Sequence, residues 1–260
     1  MTTAALGAVT EYLDRFLRIR EVPDSSGAVN GLQVENSGSI GGIIAAVDAS
    51  QATIDAAIAA KDRFAAPPLL LVHHGLFWDG NLPVTGRRYR RIGALIRHDI
   101  PLYSAHIPLD VHPEVGNNAV LATQLGLVEQ QPFDDYKGIP IGVRGVFSDG
   151  VRRTELVNRL DQLLGTASRL IEGGPEVVRR VGVITGAAGS RIAACHEAGL
   201  DTFVTGEGAH HTFFDAMELG VNVIYAGHYA TEQVGVKALA DKVGRAFGLP
   251  REFHHHPTGL

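Results

Sequence analysis

Short, almost unbroken apolar runs recur along the chain: IIAAV (43–47), LLLV (69–72), VGVIT (181–185) and VNVIY (221–225). Runs of this kind are what strands look like when helices cover both faces of their sheet. After the first run, Ser50 is placed to cap a helix whose apolar stripe is Ile54, Ala57, Ile58 and Ala60. The segment 41–75 therefore reads as strand, turn, helix, strand. The segment 179–211 reads the same way, with Ser190 as the cap and Gly199 as the helix stop. Each unit continues through a second helix into a further strand, over 90–110 and 210–232. The opening residues form an amphipathic helix on Leu6, Val9, Leu13, Phe16 and Leu17. Between the two units, 139–165 predicts a glycine-punctuated strand, a turn at Ser148-Asp149-Gly150 and a helix buried on Leu156, Leu160, Leu163 and Leu164.

One order of elements, met twice, predicts an α/β fold of two similar α/β lobes in tandem, residues 1–125 and 126–260. The competing account is that any two strand-helix-strand stretches resemble each other.

Composition narrows the class. At 260 residues, 45% apolar and 20% charged, the chain is that of a soluble globular protein with room for one large or two ordinary cores. A net charge of −5 without a long basic run argues against sequence-independent nucleic-acid binding. The one local basic run, Gly86 to Arg91, reads as a solvated helix start or an interface patch, with phosphate contact as the alternative. No apolar stretch reaches membrane-spanning length and no secretory signal is legible, so a cytoplasmic, reduced location is expected. Cys195, the single cysteine, reads as a small buried residue. No P-loop, no GxSxG and no GxGxxG occurs. The turn Thr185 to Ser190 is glycine-rich before a helix and reads as an ordinary strand-to-helix turn, with phosphate binding by its amides as the weaker alternative.

The chemistry sits at the strand ends. Two HxxxD/E pairs, His106/Asp110 and His228/Glu232, follow strand-like runs at matching places, and the doublet His73-His74 follows LLLV. Imidazole nitrogen and carboxylate oxygen suit zinc, iron, manganese or nickel, and a set without thiolate is not a structural zinc knot. Neighbours in an extended strand point to opposite faces. The doublet would thus serve one ion only if the backbone bent, and two neighbouring ions suit it better. If His228 begins a helical turn, Glu232 lies on the same face, and a carboxylate can bridge two metals. A dinuclear divalent-metal site in the cleft between the lobes is the expectation, because open α/β sheets place ligands at their carboxyl ends. The triplet His254-His255-His256 reads as a strand end or a solvated tail without a carboxylate partner.

At NGLQV (30–34), VDAS (47–50), LVHHGLFW (71–78), SAHIPLD (104–110), TGEGAHH (205–211) and AGHYATE (226–232) the sequence resembles the NIF-three-like family, the GTP cyclohydrolase 1 type 2 homologues. The resemblance runs from about residue 30 to the end. It implies a ring-like homohexamer with two divalent metal ions per subunit. The implied ligands are His73, His74, Asp110, His228 and Glu232, with Glu232 as the bridge. His106 would be a group beside the metals or a proton carrier, and Glu207 and His210 would face the same cleft. The chain lacks the inserted middle domain of longer members, and it reads HHGLFW where many have a proline after the histidines.

The favoured function is a metal-dependent hydrolase acting on a nucleotide-like or phosphoester small molecule. Two metals activate water and stabilise charge, so no nucleophilic side chain is needed, and His106 or His210 would move the proton. The alternative is a non-catalytic metal carrier or interaction platform with the same ligands. A metal-free Rossmann-type nucleotide binder would leave the clustered histidines unexplained. The identity of the metal and of the substrate is not legible in the residues.

Overall fold

The computed structural model describes residues 2–260 and has a mixed α/β fold. Its chain divides into two compact units, one of residues 1–115 and 235–256, the other of residues 116–234 and 257–260.

In the first unit five strands form one sheet in the order Arg251–Phe253, Ile43–Asp48, Leu69–His74, Leu102–Ser104, Gly31–Val34. The first four are parallel and the last is antiparallel to its neighbour. Ile43 to Val47 and Leu69 to Val72 are all at most 1% exposed, as the apolar runs require of strands covered on both faces. The helix Gln51–Ala60 starts where expected: Ser50 accepts the Thr53 N–H at 3.1 Å, and Ile54, Ala57 and Ala60 are buried. Together with Leu95 of the helix Gly86–Arg97 they pack on Ile44, Leu70 and Leu102. The opening helix Leu6–Phe16 buries Leu6, Val9 and Leu13.

The second unit has a six-stranded sheet in the order Val128–Tyr136, Ile139–Arg152, Val177–Val183, Thr202–Thr205, Asn222–Tyr225, Arg169–Glu172. Its three middle strands are parallel and the outer pairings antiparallel. One face packs on Leu156, Leu160 and Leu164 of the helix Arg153–Leu164, the other on Ile192, Cys195 and Ala216.

Several sequence expectations change here. The boundary expected at 125/126 is not a single cut. The strand Arg251–Phe253 pairs with Ile43–Asp48, so residues 235–256 return to the first unit. A three-residue strand with two charged members carries no apolar signal to announce this. The segment Ser148 to Gly150 does not reverse the chain; it is an irregularity inside the long strand Ile139–Arg152, where pairing jumps from Val146 to Val151 against Arg180 and Val178. Gly150 supplies the left-handed conformation (φ +73°) that the jump needs. Ser190 caps nothing: it lies inside a 3₁₀ turn, Gly189–Arg191, that leads into the short helix Ile192–Glu197. Gly199 does stop that helix, at φ +67°, with the Gly199 and Leu200 amides returning to the His196 and Cys195 carbonyls. Leu163 is 39% exposed, outside the stripe formed by its neighbours. No helix of the described residues is long and apolar enough to cross a membrane.

Candidate metal centre

The parallel strands of the first unit carry their polar residues at one end. Asp48 is in register with His74, and Val72 with Ser104, so Asp48, the His73-His74 doublet and His106 emerge side by side from three adjacent strands. The Ala105 amide still bonds the Val72 carbonyl at 3.0 Å, which holds His106 level with the doublet. Ring centroids of the doublet are 4.6 Å apart at 50°, so the two side chains converge although both residues belong to the strand Leu69–His74.

Each imidazole is oriented by an oxygen at its Nδ1. His73, fully buried, donates to the Ala105 carbonyl at 2.8 Å. His74 donates to Asp48 at 2.8 Å, and His106 donates to Asp24 at 2.9 Å. A carbonyl or carboxylate can only accept, so each Nδ1 carries a hydrogen, and in the neutral form of each ring Nε2 carries the lone pair. Ligand-capable atoms of the three rings lie within 4.8 Å of one another. Asp110, one helical turn beyond His106, brings Oδ1 to 3.5 Å from His73 Nε2.

Asp24 anchors this arrangement from a distant loop. Besides His106 it accepts the Ser25 amide at 2.6 Å, the Asn30 side-chain amide at 2.8 Å and the Ile107 amide at 3.0 Å. Burial pushes its pKa up, but the hydrogen bond and charge of His106 and the Asn30 bond outweigh this and hold the carboxyl below its ordinary value.

In the second unit the ends of three parallel strands supply Gly186, Glu207 and His228. His228 Nδ1 bonds Glu207 at 2.7 Å, and Nε2 lies 3.2 Å from Glu232, four residues along the helix His228–Phe247. Burial lowers the His228 pKa, yet Glu232 and Glu207 together win and push it up to about 9. The ring lies between two carboxylates, a setting that stabilises positive charge. Gly186, at φ +68°, passes so close that a side chain there would overlap Glu232 Oε1. Its N–H is taken by Thr231 Oγ1 and the Ala188 N–H by Thr205 Oγ1, so the glycine-rich turn spends these amides internally instead of on a phosphate.

The remaining candidates lie apart. His210 is exposed, edge-on to Phe214 at 5.8 Å, and belongs to no metal-capable group among the described residues. His254 extends the final strand by donating its amide to the Ala45 carbonyl, and its ring has Glu252 at 3.4 Å, a carboxylate partner where the sequence suggests none. Cys195 is fully buried, and burial raises its thiol pKa. In the basic run, Arg88 is 5% exposed and donates to the Gly80 and Leu82 carbonyls and to Asp79; it is a clamp on the preceding loop, not a solvated charge.

A family model described as Duf34/NIF3 (NGG1p interacting factor 3) matches residues 4–256. The chain belongs to the Duf34/NIF3 family. A relative from Deinococcus radiodurans, named GTP cyclohydrolase 1 type 2 homolog, is 44% identical over 97% of this chain and 93% of its own. Among solved structures, TTHA1606 from Thermus thermophilus is 41% identical with a TM-score of 0.88, covering 99% of this chain and all of that one. A protein ybgI, titled as of unknown function, is 35% identical with a TM-score of 0.89 over the same coverage. Asp24 does not stand out in the sequence: it lies 82 residues before His106, in a loop whose only signal is the Pro23-Asp24-Ser25 turn composition. Asp48 falls within the VDAS motif, and its role emerges only from its register with His74.

Proposed function

We propose that this Duf34/NIF3 member is a dinuclear divalent-metal protein that hydrolyses a nucleotide-like or phosphoester substrate. The observation that carries the reading is the uniform orientation of four imidazoles, each with Nδ1 on an oxygen; on this proposal Nε2 of each ring is the nitrogen that faces the metals. Imidazole and carboxylate donors without thiolate fit zinc, iron, manganese or nickel. On this proposal the two units are related α/β lobes, and His73, His74 and Asp110 of one act with His228 and Glu232 of the other on the same pair of ions, with Glu232 as the bridge. In its support, His228 and Glu232 open a helix whose later turns belong to the first unit. Two divalent ions bound there would lower the pKa of water and stabilise developing negative charge.

The protein side of the chemistry follows from the hydrogen bonds. His106, held through Nδ1 by Asp24, can accept a proton at Nε2 and become an imidazolium that the Asp24 carboxylate stabilises. The same ring is within reach of the doublet as a third nitrogen donor, and metal titration of His106→Ala separates the roles: a base costs turnover alone, a ligand costs metal. His210 is kept as the alternative proton donor. A ring of six subunits is proposed on the family relation alone.

The test is metal analysis of untagged protein followed by assay against nucleotides and generic phosphoesters. Two ions per chain and turnover abolished in His74→Ala support the hydrolase. Two ions without turnover leave a metal carrier; no bound metal sinks both. Glu232→Ala is expected to lose both ions and Asp110→Ala mainly one, and equal loss in the two variants would refute a bridging Glu232.

A further inference from the structure

Directly after the histidine doublet comes a loop whose aromatic Trp78 is left partly in solvent beside the imidazoles. Trp78, the single tryptophan of the chain, is 41% exposed although it touches the imidazole cluster, with ring centroids 5.7 Å from His74 and 4.7 Å from His106. Both imidazoles meet the indole nearly perpendicularly, at 79° and 78°, so neither covers it as a stacked ring would.

The loop is held at three points. The Leu76 N–H donates to Gln33 Oε1 at 2.7 Å, while the Gln33 amide nitrogen donates to the Ala28 and Val29 carbonyls at 3.0 and 2.9 Å. Gly27 lies against the Trp78 backbone, where a Cβ would stand 3.3 Å from the Trp78 Cα. Buried Arg88 ties down Asp79, Gly80 and Leu82 and lies over the Phe77 ring at 5.5 Å. An aromatic surface fixed in advance loses little freedom when a ligand covers it.

We infer that Trp78 is the stacking wall of a substrate seat beside His74 and His106, and that the seat takes a planar, nucleobase-like heterocycle. This rests on the dinuclear reading above and supplies its substrate class. An aromatic side chain accepts any base through its π face, so stacking selects for a flat ring and leaves the identity of the base to other groups. Trp78 would contact the heterocycle through its ring face and has no group that exchanges a proton near neutral pH; it is a specificity residue.

The test uses zinc-loaded full-length protein, its metal content measured on every sample, and calorimetric titration with guanosine 5′-monophosphate (GMP) and with ribose 5-phosphate, which has the sugar phosphate without the base. GMP is expected to bind at least about ten-fold more tightly than ribose 5-phosphate, and to quench the Trp78 emission. Trp78→Ala should weaken GMP on the order of 10- to 100-fold with ribose 5-phosphate affinity and zinc content kept, and Trp78→Phe should retain most of the GMP affinity. Equal binding of the two probes, no GMP binding by the zinc-loaded protein, or a Trp78→Ala variant that keeps its GMP affinity overturns the inference. If Trp78→Ala loses its zinc, the Trp78→Phe and Trp78→Leu pair decides it: equal GMP affinity in the two overturns stacking, and a loss confined to Leu supports it. Wild-type protein that holds no zinc fails the dinuclear reading itself, an outcome the metal analysis registers before any titration.

Discussion

Gly186→Ala is the sharpest probe of how the second unit places the Glu232 carboxylate. The residue has φ +68°, a conformation that costs an L-residue about 1–2 kcal/mol. The added methyl group would also overlap Glu232 Oε1 and come within 3.4 Å of His228 Nε2. Glu232 is only 3% exposed, so its carboxylate has little room to retreat, and forced overpacking of this kind costs about 1–3 kcal/mol. In metal-free protein Gly186→Ala should therefore lower the unfolding free energy by about 2–5 kcal/mol. The two contributions separate in a double-mutant cycle. In a Glu232→Ala background the overlap is gone and only the backbone cost of about 1–2 kcal/mol is left. Urea unfolding of the four proteins with a chelator present measures both numbers. An equal cost of Gly186→Ala in the two backgrounds would show that the glycine is needed for its backbone alone and that Glu232 is not placed by it.

Two further outcomes follow from the hydrogen-bond geometry. Asp48→Ala removes the acceptor that fixes the His74 ring, and metal affinity should fall by about 10- to 100-fold; competition with a chromogenic chelator reads this, and an unchanged affinity would mean His74 is held by its packing. His112 donates from Nε2 to the Phe16 carbonyl at 3.1 Å and accepts the Glu114 and Val115 amides at Nδ1, so it fits only as the neutral ring. Burial, outweighing the Phe16 carbonyl and Glu114, lowers its pKa below the ordinary histidine value. The unfolded chain then binds more protons just below pH 6.5, and stability is lost as pH falls through that value. The urea midpoint of metal-free wild type should drop more between pH 7 and pH 5 than that of His112→Asn, and parallel curves would refute the assignment.

The sequence signals candidate donors more clearly than their supports. His73, His74, His228 and Glu232 stand out because imidazoles and carboxylates break sharply with the apolar strands they terminate, and four-residue spacing on a helix is read directly. What orients them is harder to see. Asp24 reaches His106 through a tertiary contact that no local period encodes, and the Ala105 carbonyl that holds His73 is backbone. Arg88 reads like one of several solvated arginines in GRRYRR because composition does not tell which member of a basic run turns inward. The parallel strands are legible from their unbroken apolar runs, but register is not, and register is what brings Asp48 beside His74.

The return of Arg251–Phe253 to the side of Ile43–Asp48 also bears on how the polypeptide comes to exist. During translation Ile43–Asp48 leaves the ribosome about 200 residues before its neighbour does, a delay of roughly 10–40 seconds at ordinary elongation rates. For that interval a strand apolar from Ile43 to Val47 offers its unpaired amides and carbonyls to any passing chain. A nascent chain halted after the first half would therefore be the aggregation-prone species, and a cell producing this protein has reason to shield that edge until Arg251–Phe253 has emerged.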